Sequence, residues 1–261
     1  MQKHLILLLV TFFPLVCFSQ IIKKPIPDKL VVLTFDDAPA SHYSLVAPLL
    51  KEHGFAATFF VCEFPPNYAD SSLYMNWRQI QTLDKMGFEI GNHTQSHTHV
   101  DQLNEDEIKF QLSYIENKCD SLEISSPKSF AYPGYGLDSL SLRVLDSKDY
   151  DFARAGGSRA YDPLKDHPFL IPSWAPQAEN KNEIMAALQE AKNGKIVVLT
   201  FHGVPDLEHP WVNTPPELFK SYLEYLSKHN YKVIALKDLK EFINIPLAKK
   251  LHPDLSKSLK N

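Results

Sequence analysis

Short apolar runs alternate along the chain with segments whose apolar residues recur every three or four positions. That is the pattern of strands alternating with amphipathic helices. Leu30 to Phe35 (LVVLTF), Ala57 to Val61 and Ile196 to Phe201 are continuous runs of strand length, as strands covered on both faces require. Phe88 to Gly91, Ser129 to Ala131 and Lys232 to Ala235 predict further strands, as do the neighbourhoods of Phe152 and Leu170. Between them the periodicity predicts helices: one with Pro48 in its first turn and ending at Gly54, then Trp77 to Met86, Asn182 to Ala191 and Pro216 to Lys228. The clearest helix follows Asn104, which can cap it while Glu107 reaches back, and Ile108, Leu112, Ile115, Cys119 and Leu122 share a face. The alternation predicts an α/β fold with a parallel sheet, a barrel of about seven to eight strands, complete or distorted.

The first residues break this pattern. Lys3 and His4 precede the apolar stretch Leu5 to Val16, and Ser19 offers a cleavage point, so residues 1–19 read as an export signal. Residues 20–245 then form one barrel domain, and 246–261 form a short polar tail rich in Lys and Ser. The chain is expected in the periplasm or outside the cell, with no transmembrane segment. Cys17 suggests a lipid anchor, but Pro14, Leu15 and Val16 are poor neighbours for that processing, so no anchor is expected. The formal charge of −4 carries no basic stripe, which argues against nucleic acid as a partner. Cys62 and Cys119 read as two buried thiols more readily than as a disulfide.

Candidate chemistry gathers just after the predicted strands, where a βα barrel builds its active site at the C-terminal ends of the strands. Asp36 and Asp37 follow LVVLTF. As adjacent carboxylates they repel, which a divalent cation would relieve; a turn or helix cap is the plainer alternative. His93 and His97 follow FEIGN, and an i, i+4 spacing lets two imidazoles share a metal from one helical turn. His99 is a further candidate ligand. His202 ends the apolar run IVVLTF and suits a general acid, although a lone His there can equally be a core residue.

Thr34-Phe35-Asp36-Asp37 and Glu89-Ile90-Gly91-Asn92-His93-Thr94-Gln95-Ser96-His97 resemble the first two signature motifs of the polysaccharide deacetylases, the NodB-homology group or carbohydrate esterase family 4. Trp77 to Met86, Ala57 to Val61 and the late strand ending in His202 add to the likeness, which spans about Leu30 to Phe242. The resemblance implies a distorted (β/α) barrel and a hydrolase acting on carbon–nitrogen bonds other than peptide bonds. It implies Asp37, His93 and His97 as ligands of a divalent cation, zinc first, with cobalt, nickel or manganese as alternatives. It makes Asp36 the base and His202 the acid, with a backbone N–H near Gly134 or Tyr135 beside the developing oxyanion. Its substrate would be an acetylated poly- or oligosaccharide. Because ligands must be deprotonated, activity is expected to collapse below about pH 5.

The chain departs from the family in two places. The third motif's Arg, which holds the base, is missing from Phe130-Ala131-Tyr132-Pro133-Gly134-Tyr135-Gly136, and the fourth motif's Asp-Trp pair is missing from the stretch Asp151 to Gly157. Arg154, after an apolar strand, is expected to reach Asp36 in place of the missing Arg; a surface Arg is the alternative. Nothing in the pattern says what orients His202. Tyr135, Trp174 and above all Trp211 are candidate walls for a sugar ring, core packing being the alternative for Trp174. Two rival readings remain: a sugar-binding barrel without turnover, and a protein whose metal is structural.

Overall fold

The computed structural model describes residues 20–258, so the expected export signal, Cys17 included, lies outside the described residues. Among the described residues no helix is long and apolar enough to cross a membrane. Seven strands form one parallel sheet: β1 (Leu30–Phe35), β2 (Thr58–Val61), β3 (Glu89–Asn92), β4 (Ser129–Ala131), β5 (Phe152–Arg154), β6 (Val197–Phe201) and β7 (Lys232–Ile234). Their order is β5-β4-β3-β2-β1-β6, with β7 on β1. β1 pairs with β6 from Val31↔Val197 to Phe35↔Phe201. Only its end, Thr34 and Phe35, reaches β2, and its start, Leu30 to Val32, takes β7. Every residue of β1 and β6 is buried, which explains their unbroken apolar runs.

The helices are α1 (Ala47–Glu52), α2 (Trp77–Lys85), α3 (Glu105–Ser121), α4 (Ser139–Ser147), α5 (Lys181–Leu188), α6 (Pro216–Lys228) and α7 (Ile245–Ala248). Asn104 and Glu107 form the expected capping box on α3, and Asn76 with Gln79 forms another on α2. The first helix begins earlier than Pro48 suggested, because a π-helical turn over His42–Val46 runs into α1.

The strand expected near Leu170 does not form. An extended segment there bonds through Ile171 to Ala153 and Ala155 beside β5, then through Trp174 to Val198 and Thr200 on β6. Pro168, Pro172 and Pro176 supply no N–H, so a continuous ladder cannot run along it. The two sheet edges therefore meet only through isolated bridges, which is the distortion of this barrel. Trp174 is buried in the core, so it is not a sugar wall.

The polar stretch after Ile245 is anchored on the domain. α7 buries Ala248, and Lys249 lies 2.9 Å from Asp146 and over the Phe169 ring. Its polar composition hid these anchors, and the segment packs on the domain as far as it is described. Cys62 and Cys119 are buried and unbonded.

Glu89 ties the sheet together below the candidate site. Its buried carboxylate accepts from Thr58 Oγ1 on β2 (2.6 Å), Ser129 Oγ on β4 (2.6 Å) and the Lys237 N–H (2.8 Å), and burial pushes its pKa up. Glu89→Ala would leave these buried donors unmatched, and urea unfolding is expected to show a loss of at least about 3 kcal/mol. An unchanged midpoint would mean that water replaces the carboxylate.

Candidate metal centre

β1, β3, β5 and β6 all deliver polar groups to one end of the sheet. Asp36 and Asp37 follow β1, His93 follows β3, Arg154 ends β5, and His202 follows β6. His93 and His97 do converge, but not from a helical turn. Residues 93–97 form a loop in which Thr94 (φ 64°) and His97 (φ 53°) adopt the left-handed region. Asp37 does the same (φ 71°). Such residues cost on the order of 1–3 kcal/mol each and persist where the surroundings dictate them. Asn92 is one such dictator: its Oδ1 accepts the Thr94 N–H at 2.9 Å, and its Nδ2 donates to Leu112 O and Tyr150 Oη.

The result is a compact donor set. One ligand atom each from Asp37, His93 and His97 lie within 4.8 Å of one another. Asp37 Oδ1 is 3.3 Å from Nε2 of both imidazoles and is buried without a hydrogen-bond partner. His93 Nδ1–H donates to the Ala131 carbonyl at 2.8 Å, which turns its Nε2 toward Asp37. Two imidazoles, one carboxylate and an orphaned carboxylate oxygen fit a divalent cation with open positions for substrate.

The electrostatics agree. Burial alone would raise the Asp37 carboxyl, but the facing His93, His202 and His97 outweigh it and hold it well below the usual carboxylate range. Burial, reinforced by His93, holds His97 down to about 4. Burial also pulls His93 down, but Asp36 and Asp37 win and set it above its ordinary value.

His99 is not in this cluster. Its ring packs where a side chain on Gly134 would lie, 2.1 Å from such a Cβ, so it buttresses the loop after β4 instead. Arg154 reaches Asp36. Its guanidinium is fully buried, makes a direct ion pair with Asp36 Oδ2, and lies between the Phe60 ring (5.6 Å) and the Tyr135 ring (5.5 Å). The missing motif Arg therefore has a spatial substitute one strand away.

A cavity of about 300 Å³ opens over these groups. His202 lines it, with Nε2 3.9 Å from Asp37 Oδ2. Gly134 is exposed at its edge, and the neighbouring Tyr135 N–H is already donated to Tyr132 O. Trp211, 69% exposed, stands at the rim beside His209 (5.4 Å between rings). Phe64, which no sequence motif marks, has its ring 4.7 Å from that of His97 and 4.9 Å from that of His209. Buried His42 and Asp206 carry no motif either, and both act on backbone groups.

A family model described as "Polysaccharide deacetylase" matches residues 23–153. The chain is 37% identical over 188 residues to a chitooligosaccharide deacetylase of Azorhizobium caulinodans, covering 69% of this chain and 78% of that protein. It is 30% identical over 217 residues to a peptidoglycan-N-acetylglucosamine deacetylase of Bacillus cereus, covering 82% and 90%. Among solved structures, a CE4 family pseudoenzyme from Bacillus anthracis shares the fold (TM-score 0.57, 20% identity, 82% of this chain and 66% of that one). The chain spans only 31–40% of the length of three other curated relatives.

Proposed function

The chain belongs to the polysaccharide deacetylase family, and on that premise we propose that it is a metal-dependent hydrolase removing acetyl groups from an acetylated carbohydrate. N-acetylated amino-sugar polymers are the first choice of substrate and O-acetylated polysaccharides the second. The observation that carries the reading is the Asp37–His93–His97 donor set standing beside the Asp36–Arg154 pair at the mouth of one cavity.

A divalent cation held by Asp37, His93 and His97, zinc before cobalt, nickel or manganese, would polarise the acetyl carbonyl and acidify water. Asp36 commits Oδ2 to Arg154 and keeps Oδ1 without a hydrogen-bond partner, so Oδ1 is the atom to receive the attacking water's proton. Arg154 pairs with that carboxylate and holds it in one rotamer. With the Tyr135 N–H engaged by Tyr132 O, the Gly134 N–H is the remaining candidate of the two for the developing oxyanion. His202 gives a proton to the departing sugar nitrogen or oxygen as acetate leaves. Trp211 offers a flat face to the sugar ring, and Tyr135 backs Arg154. The apolar segment at residues 5–16 supports action in the periplasm or outside the cell.

The test is acetate release from N-acetylglucosamine oligomers, peptidoglycan and acetylated xylan in the presence of Zn²⁺ or Co²⁺. Release that stops with a chelator and returns with metal is expected. Bound metal with no acetate from any substrate would favour a binding protein instead, a reading that the divergent third and fourth motifs keep open.

A further inference from the structure

The chemistry proposed above needs the His202 imidazole held in one direction. Among the described residues no carboxylate hydrogen-bonds to its ring; the one carboxylate oxygen within 4.0 Å is Asp37 Oδ2, at 3.9 Å. What the structure does hold is the backbone. His202 and Gly203 share a peptide unit, whose carbonyl accepts from His42 Nε2–H at 2.9 Å. The N–H of the same unit donates to Asp206 Oδ2 at 3.0 Å. We propose that His42 and Asp206 are positioning residues, clamping both ends of this peptide unit and so aiming His202 into the cleft. The inference rests on the acid role given to His202.

His42 is fully buried, its ring 5.3 Å from that of Phe35 and 5.5 Å from that of Phe59. Burial holds it down to about 4, so at neutral pH it carries a single N–H, and its Nδ1 has no partner. An imidazole kept in the core with one nitrogen orphaned is there for the bond made by the other. Asp206 is buried too, and its second oxygen takes the His209 N–H at 2.8 Å. Gly203 allows this approach, since a Cβ there would lie 2.5 Å from the Asp206 Cα. Next to the clamp, the Val204 N–H donates to Ser41 Oγ at 2.9 Å. The clamp thus joins the π-helical turn that follows β1 and Asp37 to the end of β6, which carries His202. Among the described residues neither His42 nor Asp206 hydrogen-bonds to Asp37, His93 or His97.

His42→Phe keeps aromatic volume and removes the donor, whereas His42→Gln keeps a donor near the position of Nε2. In zinc-loaded protein, His42→Phe is expected to lower kcat roughly 10- to 100-fold, the scale of a 1 Å misplacement, with KM and bound zinc unchanged. His42→Gln is expected to recover most of that loss, and Asp206→Ala to repeat it. A second readout needs no turnover. In protein labelled with ¹⁵N-histidine, the His202 ring signals, identified by their loss in His202→Ala, are expected to shift or broaden in His42→Phe and Asp206→Ala but not in His42→Gln. Unchanged kcat and unchanged His202 signals in His42→Phe would overturn the clamp, as would a kcat loss that tracks zinc loss or that Gln does not relieve. Should the parent release no acetate at all, the functional reading fails on its own, and the ring signals still decide the clamp.

Discussion

A double variant, Asp36→Asn with Arg154→Met, is expected to be nearly as stable as the parent and without measurable turnover. Either single change alone is expected to be badly destabilising. The reason is where the pair sits: the Arg154 side chain has no exposure and the Asp36 side chain 3%. Removing one partner from such a pair strands the other charge in low dielectric, which costs about 3–5 kcal/mol. Removing both charges removes the penalty with the attraction, and such replacements are often close to neutral. Turnover follows a different rule. A general base is worth about 10²–10⁴ in rate, and no stabilising second change restores it. Urea midpoints for the four proteins, read beside acetate release, separate the two effects. If the double variant stayed as unstable as the singles, the ion pair would not be what holds these side chains. If it regained activity, Asp36 would not be the base.

This pair also shows what the amino-acid pattern reveals and what it conceals. The unbroken apolar runs announced β1 and β6, because strands covered on both faces must be apolar throughout. Charged residues at the ends of such runs are therefore legible as a cluster in the sequence alone. That Arg154 faces Asp36 depends on β5 lying four strands along the sheet from β1 and on the barrel curling back, a tertiary fact legible only through Arg154's place after an apolar strand and the gap left by the missing Arg. Local backbone geometry was less legible. The spacing of His93 and His97 suggested a helical turn, but the buried Asn92 side chain takes the Thr94 N–H and bends the chain into left-handed geometry. The expected strand near Leu170 had apolar residues enough; its prolines decided otherwise. His42 and Asp206 left no trace, because their partners are backbone groups of a strand end, for His42 160 residues away.

Metal uptake near pH 6 is expected to release close to one proton per ion, not two. Asp37 is held far below that pH, and His97, at about 4, has already lost its proton. His93 is the ligand raised above its ordinary value of 6.5, so it is the one that metal must deprotonate. The logarithm of zinc affinity should therefore climb with a slope near one as pH rises toward neutrality, approaching two only below about pH 4. Loss of activity on acidification should accordingly begin well above pH 5, as His93 takes up its proton. Titration calorimetry in buffers of different ionisation enthalpy counts the protons; two released at pH 6 would refute the assignment of His97 as the neutral ligand. Stability carries the same signature. In metal-free protein, His42 and His97 bind protons more weakly folded than unfolded, so stability falls as pH drops from 6.5 toward 4, by up to about 3 kcal/mol for fully buried His42. His93 acts in the opposite sense, its contribution fading as pH rises through its folded value. Zinc at a hundredfold over its dissociation constant should add about 2.7 kcal/mol, and this gain should vanish in His93→Ala. If that variant kept the full zinc-dependent rise in Tm, the ion would be binding somewhere other than at Asp37, His93 and His97.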